Sequence, residues 1–273
     1  MQVVSISSLK GGVGKTSVTL GLASAALAAG IPTLVVDLDP HADATTGLAV
    51  RPEGRTDIGR LLKNARRGDL AANVVPSGWV GSSPRRPGTS VPTLDVAMGS
   101  AYSGIYDRPD LGVRDQARLG SLLSRVSGYG LVLIDCPPSL NGLTRIAWTA
   151  SNKVLLVAEP ALFSVAGTER TMRALELFRR EFAPDLHTAG VVANRVRPAS
   201  SEHAFRLAEM RRMFGDLMLQ PEVPDQADWQ QIQGAAHSVH HWPGDAARQT
   251  ARLFDDLLRG VLDSGRMRSR TRR

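Results

Sequence analysis

Apolar residues follow two rhythms along this chain of 273 residues. Short continuous runs, such as Val3-Val4-Ser5-Ile6 and Leu131-Val132-Leu133-Ile134, predict strands covered on both faces, since neither face keeps polar side chains for water. Longer segments between them place apolar residues at i, i+3 and i+4, the spacing of a helix with one buried stripe. Strands are predicted at 2–7, 33–38, 94–98, 131–135, 153–158 and 188–193. Helices are predicted at 15–29, 56–67, 111–125, 140–150, 165–182, 202–214, 225–236 and 245–262. Thr56 is the expected cap of the second helix, and Gly30 with Pro32 stops the first. Residues 76–93 are rich in Pro, Gly and Ser, include Arg85 and Arg86, and read as a long loop. Strands alternating with helices imply right-handed crossovers, hence an α/β fold: a mostly parallel twisted sheet with helices on both faces. No repeat and no internal boundary is visible, so residues 1–265 form one expected domain and 266–273 a basic tail.

The turn after the first strand carries the chemistry. Lys10-Gly11-Gly12-Val13-Gly14-Lys15-Thr16 lies between a strand and the helix opening at Ser17. Glycines let the backbone approach a ligand closely, and the N–H groups of a helix N-terminus favour an anion. Such a loop cradles phosphates: Lys15 reaches the β- and γ-phosphates and the Thr16 hydroxyl binds Mg²⁺. The loop departs from the general P-loop pattern. Leu9 stands where its first glycine belongs, and a second lysine, Lys10, opens the loop. The expected use of Lys10 is to reach a phosphate held by a second copy of the chain.

Two further segments extend the pattern: Asp37-Leu38-Asp39-Pro40 at the end of the second predicted strand, and Ile134-Asp135-Cys136-Pro137-Pro138 at the end of the fourth. Together with the loop they resemble, in order and spacing, the deviant Walker A motif, the D-x-D-P motif and the Walker B segment of the ParA/MinD family of dimerising ATPases. The likeness covers residues 1–160 well and the rest loosely. It implies a P-loop NTPase fold and ATP with Mg²⁺ as cofactors. It implies nucleotide contacts from residues 10–17 (Lys10, Gly11, Gly12, Val13, Gly14, Lys15, Thr16 and Ser17). Catalytic roles then fall to Lys10, Lys15 and Asp39, with Asp39 orienting the attacking water. Thr16 and Asp135 serve the metal, and Asp37 assists either the metal or loop positioning. Asn194, at a strand end, resembles the family's adenine-contacting asparagine, and Pro221-Glu222-Val223-Pro224 resembles the loop across the base. One departure is His41, where many ParA-like chains carry glutamine.

Charge adds a partner. The net charge is +7 and the pI about 10.3, with a dense arginine cluster in the tail, which points to a polyanion and first to nucleic acid. Candidate DNA contacts are Arg195, Arg197, Arg206, Arg211, Arg212, Arg248, Arg252, Arg259, Arg268 and Arg270. The single cysteine, Cys136, excludes a disulfide framework within the chain and reads as a small core residue. His237, His240 and His241 lack a carboxylate or cysteine pattern for a metal site. No apolar run reaches the ~20 residues of a membrane span, and the first strand starts at once, so neither a signal peptide nor an N-terminal helix-turn-helix is expected. The resulting expectation is a cytoplasmic, nucleoid-associated DNA partition ATPase. It would form an ATP-dependent homodimer, bind DNA without sequence preference and answer to a centromere-bound ParB-type partner, with no stable membrane association. The alternatives are a MinD-like membrane-cycling ATPase, whose end would be an amphipathic helix at 245–262, and a metabolic relative of the same fold.

Overall fold

The computed structural model describes residues 1–51, 54–82 and 93–264. Its strands are β1 (Gln2–Ser7), β2 (Thr33–Asp37), β3 (Val75–Pro76), β4 (Leu94–Ala97), β5 (Leu131–Asp135), β6 (Lys153–Ala158) and β7 (His187–Ala193). They form one sheet in the order β3-β4-β2-β5-β1-β6-β7. Every neighbouring pair is parallel except β3 with β4. The helices are α1 (Lys15–Ala28), α2 (Asp43–Gly47), α3 (Ile58–Lys63), α4 (Val113–Gln116), α5 (Arg118–Leu123), α6 (Gly142–Ala150), α7 (Leu162–Phe182), α8 (Ser201–Phe214), α9 (Ala227–Gly234) and α10 (Asp245–Asp263).

Alternation along the strands divides the core. Val4 and Ile6 of β1 pack with α1 and α10 on one face, while Val3 packs with α3, α5 and α6 on the other. Towards β7 that second face is covered by α7 and α8. The central helix α1 is apolar on nearly all sides, as suits a helix sandwiched between a sheet and a second helix. The second helix is α10, whose stripe of Phe254, Leu257, Leu258 and Val261 is buried in the same cluster as α1. Lys153, buried in β6, donates from Nζ to the carbonyls of Val261 and Leu262, at 2.9 and 2.8 Å. A cation on these orphan carbonyls satisfies the end of α10 and complements its dipole.

Four local expectations are corrected. The cap of α3 is Asp57, not Thr56: its carboxylate accepts from Arg60 N at 3.0 Å. Thr56 is displaced because its own N–H bonds the Asn73 side chain, and Ile58 N is taken by Met98 O, so the helix starts one residue later. The helix also ends at Lys63 rather than 67. The predicted helix 111–125 is two short ones meeting at Ala117, where Gln116 folds back onto Leu111 O and Arg118 reaches the Leu62 and Lys63 carbonyls. The 76–93 loop begins as a strand, β3, and Ser77 and Trp79 are buried; Arg85 and Arg86 lie outside the described residues.

Gly21 of α1 faces Phe254 of α10, and a Cβ there would come within 2.2 Å of the fully buried ring. Alanine at a helix interior gains about 1 kcal/mol of propensity over glycine, whereas overpacking costs about 1–3 kcal/mol. The clash should win because the ring has no free space to turn into. Gly21→Ala is expected to lower the urea midpoint with an unchanged m-value, and a raised midpoint would show that α1 and α10 are not held this closely.

Candidate nucleotide-binding site

The site forms where β1, β2 and β5 end side by side. Register pairs Asp37 of β2 with Asp135 of β5, and Ile6 of β1 with Asp135, so the phosphate loop leaving β1 emerges next to both carboxylates. The carboxyl ends of strands in an open parallel sheet are where ligands bind in such folds. Gly12 and Gly14 take left-handed conformations, with φ of 78° and 88°, which turn the loop back onto the N-terminus of α1. Gly14 is further restricted: a Cβ would meet Asn194 Nδ2 at 2.3 Å.

Asp135 is wholly buried and accepts a hydroxyl on each oxygen, from Thr16 at 2.7 Å and Thr19 at 2.8 Å. Thr16 therefore spends its one donor on Asp135, and its lone pairs remain for a cation. Burial pushes the Asp135 carboxyl up, and the two hydroxyls and the Lys15 ammonium hold it down. Thr19 is a site residue that the motif did not disclose; only its place one helical turn after Lys15 could have suggested it. Asp37 is equally buried. Its Oδ2 accepts from Thr45 N at 2.8 Å and Thr45 Oγ1 at 2.7 Å, while Oδ1 has no partner. Burial first, and the Asp135 charge second, push its carboxyl up. Thr45 is itself held by the Gly99 N–H at 2.9 Å, and a side chain at Gly99 would strike the Asp37 carboxylate. Asp37 thus positions the loop running through α2.

Asp39, 8% exposed, accepts the His41 N–H on Oδ1 at 3.0 Å. Lys15 is buried to 6% beneath the loop, whereas Lys10 is half-buried and has no side-chain partner among the described residues. Asn194 is buried and donates from Nδ2 to Val13 O at 2.8 Å, so its amide braces the phosphate loop. The Pro221–Pro224 segment runs beside it: Val223 N bonds Ala193 O, and Val196 N bonds Val223 O. Cys136 is a core residue whose thiol burial pushes up to about 12.

The donor set fits Mg²⁺, which binds phosphates together with few protein oxygens and retained water. Thr16 offers lone pairs, Asp135 lies directly behind it, and the orphaned Asp37 Oδ1 is a buried acceptor facing the same pair of strand ends. Among the described residues no cluster of three His, Cys, Asp or Glu could hold a metal. His240 is engaged otherwise, with Ser24 at 2.7 Å and Asp255 at 3.0 Å.

The arginines singled out for DNA are not brought together. Those of α8 and α10 lie on opposite faces of the sheet. Arg206 bridges Glu202 and Glu209, Arg211 pairs with Glu222, Arg248 with Asp245, and Arg259 with Asp256. Arg197 sits on His203, and Arg195, exposed, holds a left-handed backbone just after Asn194. Arg212 and Arg252 are exposed with no partner among the described residues. Arg268 and Arg270 lie outside the described residues.

The carboxylate pair has a measurable cost. The folded state holds the Asp37 proton more tightly than the unfolded chain does, so this group favours folding at acid pH and loses that contribution as pH rises. The loss begins above the ordinary aspartate value of about 3.9 and extends to about 8, the value to which burial raises it. Asp37→Asn removes the penalty. The nucleotide-free variant is expected to be more stable than wild type by about 1–3 kcal/mol at pH 8, with the gap closing towards pH 5. Urea denaturation across that range checks this, and a variant less stable at every pH would overturn it.

Comparison with known proteins shows the family and the fold. Residues 4–235 match the family described as the CobQ/CobB/MinD/ParA nucleotide binding domain. The chromosome partitioning protein ParA of Caulobacter vibrioides is 33% identical over 228 residues, covering 82% of this chain and 80% of that protein. Among solved structures, an ATP complex of McdA from Cyanothece superposes with a TM-score of 0.76 at 18% identity, covering 97% of this chain and 96% of that one. Cobyrinic acid a,c-diamide synthase from Mycobacterium smegmatis, with an ATP analogue and magnesium, gives 0.74 at 21% identity, covering 95% of each chain. These two share the fold with proteins of different names, so fold alone does not choose among their roles. The matched span, the phosphate loop and the paired strand-end carboxylates identify the chain as a member of the CobQ/CobB/MinD/ParA family of nucleotide-binding domains, built on the P-loop NTPase fold.

Proposed function

We propose that this protein is a DNA partition ATPase, of plasmid or chromosome type. In this reading ATP binding drives a homodimer that holds DNA without sequence preference, and a centromere-bound partner stimulates slow hydrolysis and release. The observation that carries the reading is Lys10, a phosphate-loop lysine with no partner in its own chain among the described residues. A cation left unpaired beside a phosphate site is available to a second subunit's nucleotide. The Caulobacter relative, described as a chromosome partitioning protein, supports it.

The chain's own groups divide the work. The loop N–H groups and Lys15 hold the phosphates. Thr16, its proton committed to Asp135, presents oxygen lone pairs, and Mg²⁺ bound there would neutralise phosphate charge. Asp39 keeps Oδ1 on the His41 N–H and offers Oδ2 to orient a water. Lys10 of a second subunit would supply the remaining positive charge, as an arginine finger does, which ties turnover to dimerisation. The membrane-cycling alternative loses support because the apolar stripe of α10 is buried against α1. Among the described residues no helix is long and apolar enough to cross a membrane.

Asp39→Ala is expected to keep ATP binding and lose phosphate release by about 100-fold or more, the scale of losing a positioned acid–base group. Loss of ATP binding instead would make Asp39 a structural residue. Lys10→Ala should abolish ATP-dependent dimerisation and the ATP-dependent, salt-sensitive part of DNA binding, read by light scattering and anisotropy across a salt series. ATP-dependent DNA binding that survives in the variant would sink the role of Lys10, and wild-type binding indifferent to nucleotide would sink the cycle.

A further inference from the structure

A groove of about 1460 Å³ runs between α3 with its following turn and the α4–α5 pair, away from the phosphate loop. Arg60, Lys63, Arg66, Arg67, Arg114 and Arg118 line it, against only two acids, Asp69 and Asp115. None of these basic residues belongs to the set singled out for DNA from the sequence. We propose that this groove binds the phosphate backbone of nucleic acid, as a site separate from the nucleotide site and independent of the ATP cycle.

The groove is built rather than incidental. Arg118 donates from α5 to the Leu62 and Lys63 carbonyls, and Arg125 to those of Ala65 and Arg66. These contacts satisfy the end of α3 and fix the two walls to one another. Tyr102 lies under Arg60 and Lys63, with the cations 5.3 and 6.0 Å from the ring centre, and Tyr106 under Arg118 at 5.8 Å. The Arg60 guanidinium, stacked on its ring, keeps its face dry and leaves Nε and Nη2 for an anion. Asp57 takes one nitrogen of Arg60, whereas Arg118 has all three engaged, Nε and Nη2 with Asp115 and Nη1 with the two carbonyls, so it builds the wall and leaves phosphate contact to the others. Arg66, Arg67 and Arg114 are exposed and have no partner among the described residues. Arg173, Arg179, Arg180, Arg206, Arg248 and Arg259 are each paired with a carboxylate three or four residues away, whereas three unpartnered arginines meet around this one groove.

The lining favours nucleic acid over a protein segment held by apolar anchors. Such a segment needs a pocket for each anchoring side chain. Here Leu61 is already buried and Val113, 69% exposed, stands out from the surface. The volume exceeds the range of about 300–1,000 Å³ typical of small-ligand pockets, which suits a chain of phosphates better than a single one.

The test uses the full chain and a labelled DNA duplex, without nucleotide and with ADP, in wild type and in an Arg66→Ala/Arg67→Ala/Arg114→Ala variant. All measurements are repeated on the Lys10→Ala background. Affinity at low salt should fall at least ten-fold in the triple variant, and the slope of log K against log salt should shrink by about 2–3, one counterion per lost contact. Thermal unfolding should be unchanged, since the three side chains are exposed. Unchanged affinity and slope, or no nucleotide-free binding in wild type, would overturn the proposal. So would competition by polyglutamate equal to that by DNA at matched charge, which would make the groove a general anion site. Because these arms omit ATP and dimerisation, failure of the partition cycle leaves their outcome readable.

Discussion

Two threonine hydroxyls on one buried carboxylate hold the working part of this molecule together. Thr16 and Thr19 lie on successive positions of the same face of α1, and both donate to Asp135 at the end of β5. In water such bonds are exchangeable; inside the sheet they are not, because a buried carboxylate that loses its donors leaves its charge unpaired. The clamp fixes the rotation of α1 about its axis. That rotation aims Lys15 and the loop N–H groups, and sets how α10 must lie to cover α1. The depth of α10 in turn requires a capped end, which Lys153 provides from β6. Loop, central helix, outer helix and sheet form one chain of consequences from Asp135.

Charge follows a different logic from packing. Carboxylates are gathered at the strand ends, where desolvation and mutual repulsion oppose them, and cations are spread over the helices, many paired within a turn. Exposed pairs of that kind contribute little to stability. The carboxylate cluster opposes folding at neutral pH, a trade of stability for readiness common at ligand sites. An unpartnered Asp37 Oδ1 is the visible sign of it.

How much of this was legible in the sequence varies with the kind of interaction. The buried strands were plain, because continuous apolar runs such as Leu131–Ile134 admit few other readings, and the parallel sheet followed from their alternation with helices. The phosphate loop was plain because glycine spacing encodes backbone conformation directly, as the positive φ of Gly12 and Gly14 bears out. Contacts between distant segments were not. Nothing near Thr45 or Gly99 in the sequence says that they support Asp37, and Thr19 looks like an ordinary helix residue. The cap of α3 slipped by one residue because Met98, far along the chain, claimed Ile58 N. Helix 111–125 broke because Gln116 and Arg118 found backbone carbonyls off the helix axis, which periodicity cannot report.

The immobility of α1 has a mechanical consequence. Eleven of its residues are buried, and its one glycine, Gly21, is pressed against Phe254. Such a helix is a stator. Whatever motion nucleotide turnover produces must be borne by segments outside it, such as the stretch from Asp39 towards α2, where Thr45 hydrogen-bonds Asp37. A machine whose ligand-gripping part cannot move transmits its state by what the grip lets loose around it.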